Sequence, residues 1–321
     1  MGQGIGRANM NKRDLLLILS VVTVWGANFT VIKLGLDGVP PMLLVALRYI
    51  LTAFPAILFV KRPTVGWRYC IAYGLTVGVG QFACLFYAMH IGMPAGVASV
   101  VLQSQAFFTI LFAAFILNES IKGRQIVGLV VAGLGLYLIG GTGGGDDGGA
   151  ANLSAIPLHA FLLTLAGAAF WGMSNIIVKY ASDRVVGRGQ SLDMLSLVVW
   201  SSLIPPIPLL AMAFMLDTPA VLWQAISSLN MVSVFSVFYL AFAATLFGFG
   251  TWGNLLTKYS AGKVAPFSLL VPITGLITAQ IVIGEQLSLL QCLGCLAILL
   301  GIVIFNFGYA LIGRVIKVKG T

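Results

Sequence analysis

Ten runs of roughly 20 mainly apolar residues, joined by connections too short to hold a soluble domain, leave this chain few ways to fold. Hydrocarbon offers the backbone no hydrogen-bonding partner, so each run reads as a helix that satisfies its own N–H and C=O groups. The runs lie near residues 15–36, 41–60, 68–89, 94–117, 122–140, 158–180, 192–216, 231–255, 263–284 and 288–312. Composition agrees with that reading. Only 8% of the 321 residues are charged and mean hydropathy is +1.02, against about 25% charged in a soluble domain. No removed signal peptide is expected, because no polybasic start leads into a small-residue cleavage site.

The cations set the orientation. If the N-terminus is cytoplasmic, the cytoplasmic segments hold sixteen of the eighteen Lys and Arg. The other two, Lys33 and Arg48, fall inside the first and second runs. The opposite loops carry acids and histidines instead: Asp37, His90, Asp146, Asp147, His159, Asp217 and Glu285. One run too many or too few would reverse every later loop, so this asymmetry supports ten spans with both ends inside. It also removes nucleic acid as an explanation of the +9 net charge.

The chain repeats itself. Trp25-Gly26-Ala27-Asn28-Phe29-Thr30-Val31-Ile32-Lys33 returns as Trp171-Gly172-Met173-Ser174-Asn175-Ile176-Ile177-Val178-Lys179. Val97-Ala98 returns as Val264-Ala265, and Asn118-Glu119-Ser120 as Gly284-Glu285-Gln286. Two related halves of five spans follow: 1–140, a Gly-rich linker 141–157, and 158–321. Five is odd, so the halves run through the bilayer in opposite directions. The fold class expected is therefore an all-α membrane protein, ten transmembrane helices in two inverted five-helix repeats around a central cavity. Inverted repeats place a substrate site near the midplane, between halves that exchange outward and inward openings.

Polar groups inside spans usually face the protein interior or water. The candidates for substrate binding are Trp25, Asn28, Gln81, Gln103, Gln105, Trp171, Asn175 and Trp252. Amides both donate and accept, which suits the ammonium and carboxylate of a small zwitterion. They also serve as glue between membrane helices, and for each amide the two roles weigh about equally. Gln103 and Gln105 point about 200° apart on a helix, so at most one faces a cavity squarely. Arg48 is the only cation well inside a span; it could fork onto a carboxylate, but bracing neighbouring helices is the favoured role. Acids are missing from the middle of every span, which demotes export of organic cations. Pro205-Pro206 interrupt the seventh run and are expected to bend it, and Ser288 with Gln291 has the spacing of a capping box. Cys292 and Cys295 read as small helix-packing residues.

Longer stretches then carry a resemblance. Trp25-Gly26-Ala27-Asn28-Phe29, a Glu ahead of the fifth and tenth spans, and the segments Gly92–Ser99, Gln103–Ile110 and Val264–Pro272 resemble the EamA family of the drug/metabolite transporter superfamily. The resemblance implies a secondary active exporter of amino acids or their metabolites, of the cysteine or O-acetylserine kind, working by alternating access in a bacterial inner membrane. The alternatives are export of aromatic amino acids, of purine-like compounds or, with one mid-span cation, of a sugar phosphate. The expected partners are an amino-acid-like small molecule and membrane lipids, with the chain a monomer or weak homodimer. No cofactor, metal or catalytic residue is expected. No Gly-x-x-x-x-Gly-Lys-Ser/Thr loop occurs, which excludes ATP hydrolysis by this chain.

Overall fold

The computed structural model describes residues 11–140, 156–259 and 261–307, and among them every element is helical. All but the last two residues of the predicted linker 141–157 fall outside the described residues. The helices are α1 (Lys12–Leu36), α2 (Pro41–Ala53), α3 (Trp67–Tyr73), α4 (Phe82–His90), α5 (Ala95–Val101), α6 (Gln105–Leu117), α7 (Gly123–Gly140) and α8 (Leu158–Val186). They continue as α9 (Met194–Ser201), α10 (Pro206–Leu216), α11 (Pro219–Ser227), α12 (Met231–Phe238), α13 (Gly248–Lys258), α14 (Ala261–Val264), α15 (Leu270–Ile283) and α16 (Leu289–Phe307). Within the described residues, each predicted apolar run is mainly helical. Six continuous stretches are long and apolar enough to cross a membrane: Lys12–Leu36, Pro41–Leu58, Trp67–His90, Ala95–Leu117, Leu158–Val186 and Met231–Leu256. The α9–α10 pair, bent by 43° where Pro205-Pro206 stand, makes a seventh if it is one span, and three shorter apolar helices, Gly123–Ile139, Phe267–Ile283 and Leu289–Phe305, lie beside these.

Sequence-coded stops and starts set the ends. Asn11 accepts the backbone N–H of Asp14 at 2.7 Å and opens α1. Asp193 caps α9 by accepting the Leu195 N–H, and Asn230 caps α12 by accepting that of Ser233. Ser288 and Gln291 form the expected reciprocal box, with Gln291 Oε1 accepting the Ser288 N–H at 3.0 Å. Helix α11 was not foreseen. Thr218 caps it and Pro219 opens it in the connection between the seventh and eighth runs, leaving Trp223 exposed.

Five stretches among the described residues depart from α geometry: a 3₁₀ turn at Ala56–Leu58 closes the second run, and the other four fall in matching places. A π-helical segment, Gly74–Gln81, joins α3 to α4, and another, Tyr239–Phe247, joins α12 to α13. A 3₁₀ turn at Leu102–Ser104 separates α5 from α6, and one at Ala265–Leu269 separates α14 from α15. The packing is paired in the same manner. Helix α1 lies along α15, and α8 along α6. The α12–π–α13 rod packs on α1, and the α3–π–α4 rod on α8; α2 meets α10, and α7 meets α16.

The repeated Trp-Gly explains itself at these crossings. A Cβ on Gly26 would stand 1.9 Å from Thr274 Oγ1 on α15, and one on Gly172 would stand 2.8 Å from Phe108 Cβ on α6. Small residues let membrane helices approach closely enough to gain packing that lipid cannot supply. Gly172→Leu should therefore destabilise the bundle by about 3 kcal/mol, read as a fall in the monodisperse fraction after detergent extraction.

Three contacts fasten the halves at their rims. The Asp14 carboxylate accepts from Lys258 Nζ and from Tyr259 Oη, each at 2.5 Å, so this first-turn acid holds α1 to the end of α13. Glu119 pairs with Lys179 at an exposed edge. At the other end, Glu285 accepts the backbone N–H groups of Ala95 and Gly96. Lys33, read as a span-end residue, donates to the Met89 carbonyl at 2.9 Å.

Candidate functional site

Arg48 sits in the middle of α2 and is only 3% exposed. Its Nη2 donates to Thr245 Oγ1 at 3.0 Å. Thr245 belongs to the second π segment and donates its own proton to the Leu240 carbonyl, five residues back. The hydroxyl is therefore turned so that its lone pairs meet the guanidinium. The face of Phe82 lies under the guanidinium carbon at 4.0 Å, and Tyr49 lies at 5.8 Å, a cation–π cradle whose worth grows as water is excluded. Nε and Nη1 have no hydrogen-bond partner among the described residues. A charged group buried in this state is costly, and a carboxylate matching its fork would relieve the cost.

Beside the guanidinium is a cavity of about 20 Å³, lined by Tyr49, Tyr73, Phe82, Ser201, Thr245 and Phe249 among others. That space holds about one water. The conformation is shut around Arg48.

Among the eight residues singled out in the sequence, none lines this cavity directly. Four are linked to it through neighbours in space or along the chain. The Trp25 indole lies 5.2 Å from that of Trp252 and 5.5 Å from the Phe249 ring, and Phe249 is part of the cavity wall. Trp25 Nε1 donates to the Ala244 carbonyl at 2.8 Å, one residue before Thr245. Gln81 ends the first π segment and precedes Phe82; it is 4% exposed, and its Oε1 has no partner among the described residues. Asn28, on the turn of α1 after Trp25, is likewise buried, with Oδ1 unpaired. Two acceptors and two donors thus stand unsatisfied in the bundle, the inverse of an ammonium and a carboxylate.

The other four gather elsewhere. Asn175 Nδ2 donates to Gln105 Oε1 at 2.8 Å and to Thr109 Oγ1 at 2.9 Å, which ties α8 to α6. Trp171 packs half-buried against the main core, and Gln103 lies in the 3₁₀ turn, half-exposed. The Asn175–Gln105 pair thus makes the kind of interhelical hydrogen bond that amides supply between membrane helices. Asn175→Leu should cost about 1 kcal/mol of stability and leave the apparent KM for any transported solute unchanged, which flux and thermal-unfolding measurements on one preparation would check.

The structure adds most at Arg48, for which the sequence favoured a bracing role. Its isolation as the one cation deep in a span was visible, but whether its donors find partners depends on α2 meeting the second π segment.

Comparison with known proteins adds a separate line. The EamA-like transporter family matches the chain twice, over residues 12–141 and 158–307. An Escherichia coli (strain K12) protein named "Probable amino-acid metabolite efflux pump" is 43% identical over 299 residues, covering 93% of this chain and 96% of its own. A Salmonella typhimurium protein of the same name is 43% identical over 312 residues, covering 97% of this chain and 100% of its own. A solved crystal structure is similar in fold, with a TM-score of 0.58 at 16% identity over 92% of this chain and 97% of the other.

Proposed function

The chain belongs to the EamA-like transporter family, and from that premise we propose that it exports small amino-acid metabolites across the bacterial inner membrane. It is a multi-pass membrane transporter and not an enzyme. The observation that carries the substrate class is Arg48: a buried guanidinium with two unpaired donors, placed to take a carboxylate. Amide oxygens of Asn28 and Gln81 would receive the ammonium, and the Trp25–Trp252–Phe249 cluster would cover the side chain. Cysteine- and O-acetylserine-like solutes fit such a site. The names of the relatives point the same way. A sugar phosphate would ask for several cations where the bundle interior offers one.

The proposed frame is ten spans in two inverted repeats, 1–140 and 158–321, joined by the linker 141–157. Its support is the double family match and the paired irregularities: π segments in the third and eighth runs, 3₁₀ turns in the fourth and ninth. The reciprocal packing of α1 on α15 and α8 on α6 adds to it. The distribution of Lys and Arg supports a cytoplasmic position for both termini. With rims fastened at both ends and room for about one water beside Arg48, the conformation is an occluded step of an alternating-access cycle.

Counterflow in proteoliposomes is the test. Labelled cysteine or O-acetylserine should exchange against the unlabelled amino acid and not against the corresponding decarboxylated amine. Exchange with the amine, or no movement of any amino-acid metabolite in a broad panel, would overturn the reading.

A further inference from the structure

At the opposite level of the bundle from Glu285, a second and larger cavity of about 470 Å³ opens between the start of α3 and the end of α8. Four arginines line it: Arg62 and Arg68 from the first half, Arg184 and Arg188 from the second. Cytoplasmic orientation requires cations in these loops, but it does not require four of them round one hollow. All four are exposed, and among the described residues no carboxylate lies within 4.0 Å of any of the guanidinium groups. Asp183, next to Arg184 in sequence, is not part of the wall and acts instead on Lys179. Two of the arginines are held in place by aromatic rings. Arg62 lies over the Trp67 ring at 4.8 Å, and Arg68 over that of Tyr69 at 4.8 Å while donating to its hydroxyl. The floor is apolar, supplied by Val65 and Val185.

Four like charges converging on a hollow repel one another unless an anion joins them. Arginine forks match the oxygens of a phosphate group, and phosphate is the anion that several guanidinium groups together recognise. The size is that of a small-molecule site. We propose that this cavity binds a phosphate-bearing anion, bridging the two halves of the transporter. The sources present at a membrane surface are the headgroup of an anionic phospholipid and a soluble phosphate; the chemistry of recognition is shared. This inference stands apart from the Arg48 reading, since it concerns another cavity and does not involve transported solute.

Thermal unfolding of the purified full chain in detergent tests it, with two additives at constant ionic strength. One is phosphatidylglycerol doped into the micelle, compared with phosphatidylcholine. The other is inorganic phosphate, compared with chloride. At least one phosphate-bearing additive should raise the unfolding midpoint by about 3 °C or more. Arg184→Gln with Arg188→Gln should abolish that rise, and so should Arg62→Gln, whose site lies on the other half. A response to phosphatidylglycerol alone assigns the lipid headgroup, and a response to inorganic phosphate assigns a soluble anion. No response to either, or an equal response in wild type and variants, overturns the proposal.

Discussion

Arg48→Met should cut the export of carboxylate-bearing solutes at least about 100-fold while leaving the protein as stable as before. The transport loss follows from the two donors that the bundle leaves unused. A charge-assisted hydrogen bond contributes about 1.5–3 kcal/mol, and each 1.4 kcal/mol is about a factor of ten, so losing two of them exceeds 100-fold. The stability forecast is the more discriminating half. Were Arg48 a brace, its removal would weaken the fold. Among the described residues the one hydrogen-bond partner of its side chain is Thr245, and that hydroxyl keeps its own bond to the Leu240 carbonyl when the guanidinium is gone. Met fills much of the same volume against Phe82 without a buried charge, and apolar replacement of buried ions is often neutral or stabilising. Arg48→Lys keeps the charge and loses the fork, so it should fall between. Flux per folded molecule, measured beside the unfolding midpoint, separates the alternatives. Normal flux in Arg48→Met would end the assignment of this residue to the substrate.

What could be read beforehand, and what could not, divides along a physical line. Apolar length, cap residues and Pro are local signals, so the helices, the Ser288–Gln291 box and the bend at Pro205-Pro206 were legible. Helix α8 continues past the apolar run to Val186 because nothing after Lys179 stops a helix until Gly187. The π segments were not legible. Gly74–Gln81 is rich in Gly and Tyr239–Phe247 contains none, so no composition marks them. They arise where one long rod packs on another, α1 or α8, from the opposite half. The site suffered in the same way. Asn28, Gln81, Gln105 and Asn175 are equivalent on paper, yet the crossing of α6 and α8 satisfies the last two against each other and leaves Asn28 and Gln81 with unpaired oxygens. Pairing between distant helices decides which polar group is glue, and a single sequence does not encode it locally.

Glu285→Ala should shift the transporter toward a state open on the Glu285 side by about 30- to 150-fold. Both carboxylate oxygens are engaged: Oε1 accepts the Ala95 N–H at 2.6 Å and Oε2 that of Gly96 at 2.8 Å, at the first turn of α5. An anion there also meets the positive end of the helix dipole. Gly284, with φ +67°, ends α15 and turns the next residue toward α5, a geometry that favours Gly. The contact joins the second half to the first, so it must break when that face opens. Without it, the two N–H groups are unpaired in the closed state and hydrated in the open one. A loss of about 2–3 kcal/mol from the closed state gives the stated shift. The corresponding acid of the first half behaves differently. Glu119 pairs with Lys179 where both side chains are about half-exposed, and such pairs contribute about 1 kcal/mol at most; Glu119→Ala should change the balance by less than about fivefold. A cysteine placed at Ser202, a wall residue of the Arg48 cavity, reports both effects once the four native cysteines are replaced. Its labelling by an impermeant maleimide added from the Glu285 side should accelerate about thirtyfold or more in Glu285→Ala and stay nearly constant in Glu119→Ala. Equal rates in the two variants would mean that the rims are packing contacts, with the barrier to opening held elsewhere in the bundle.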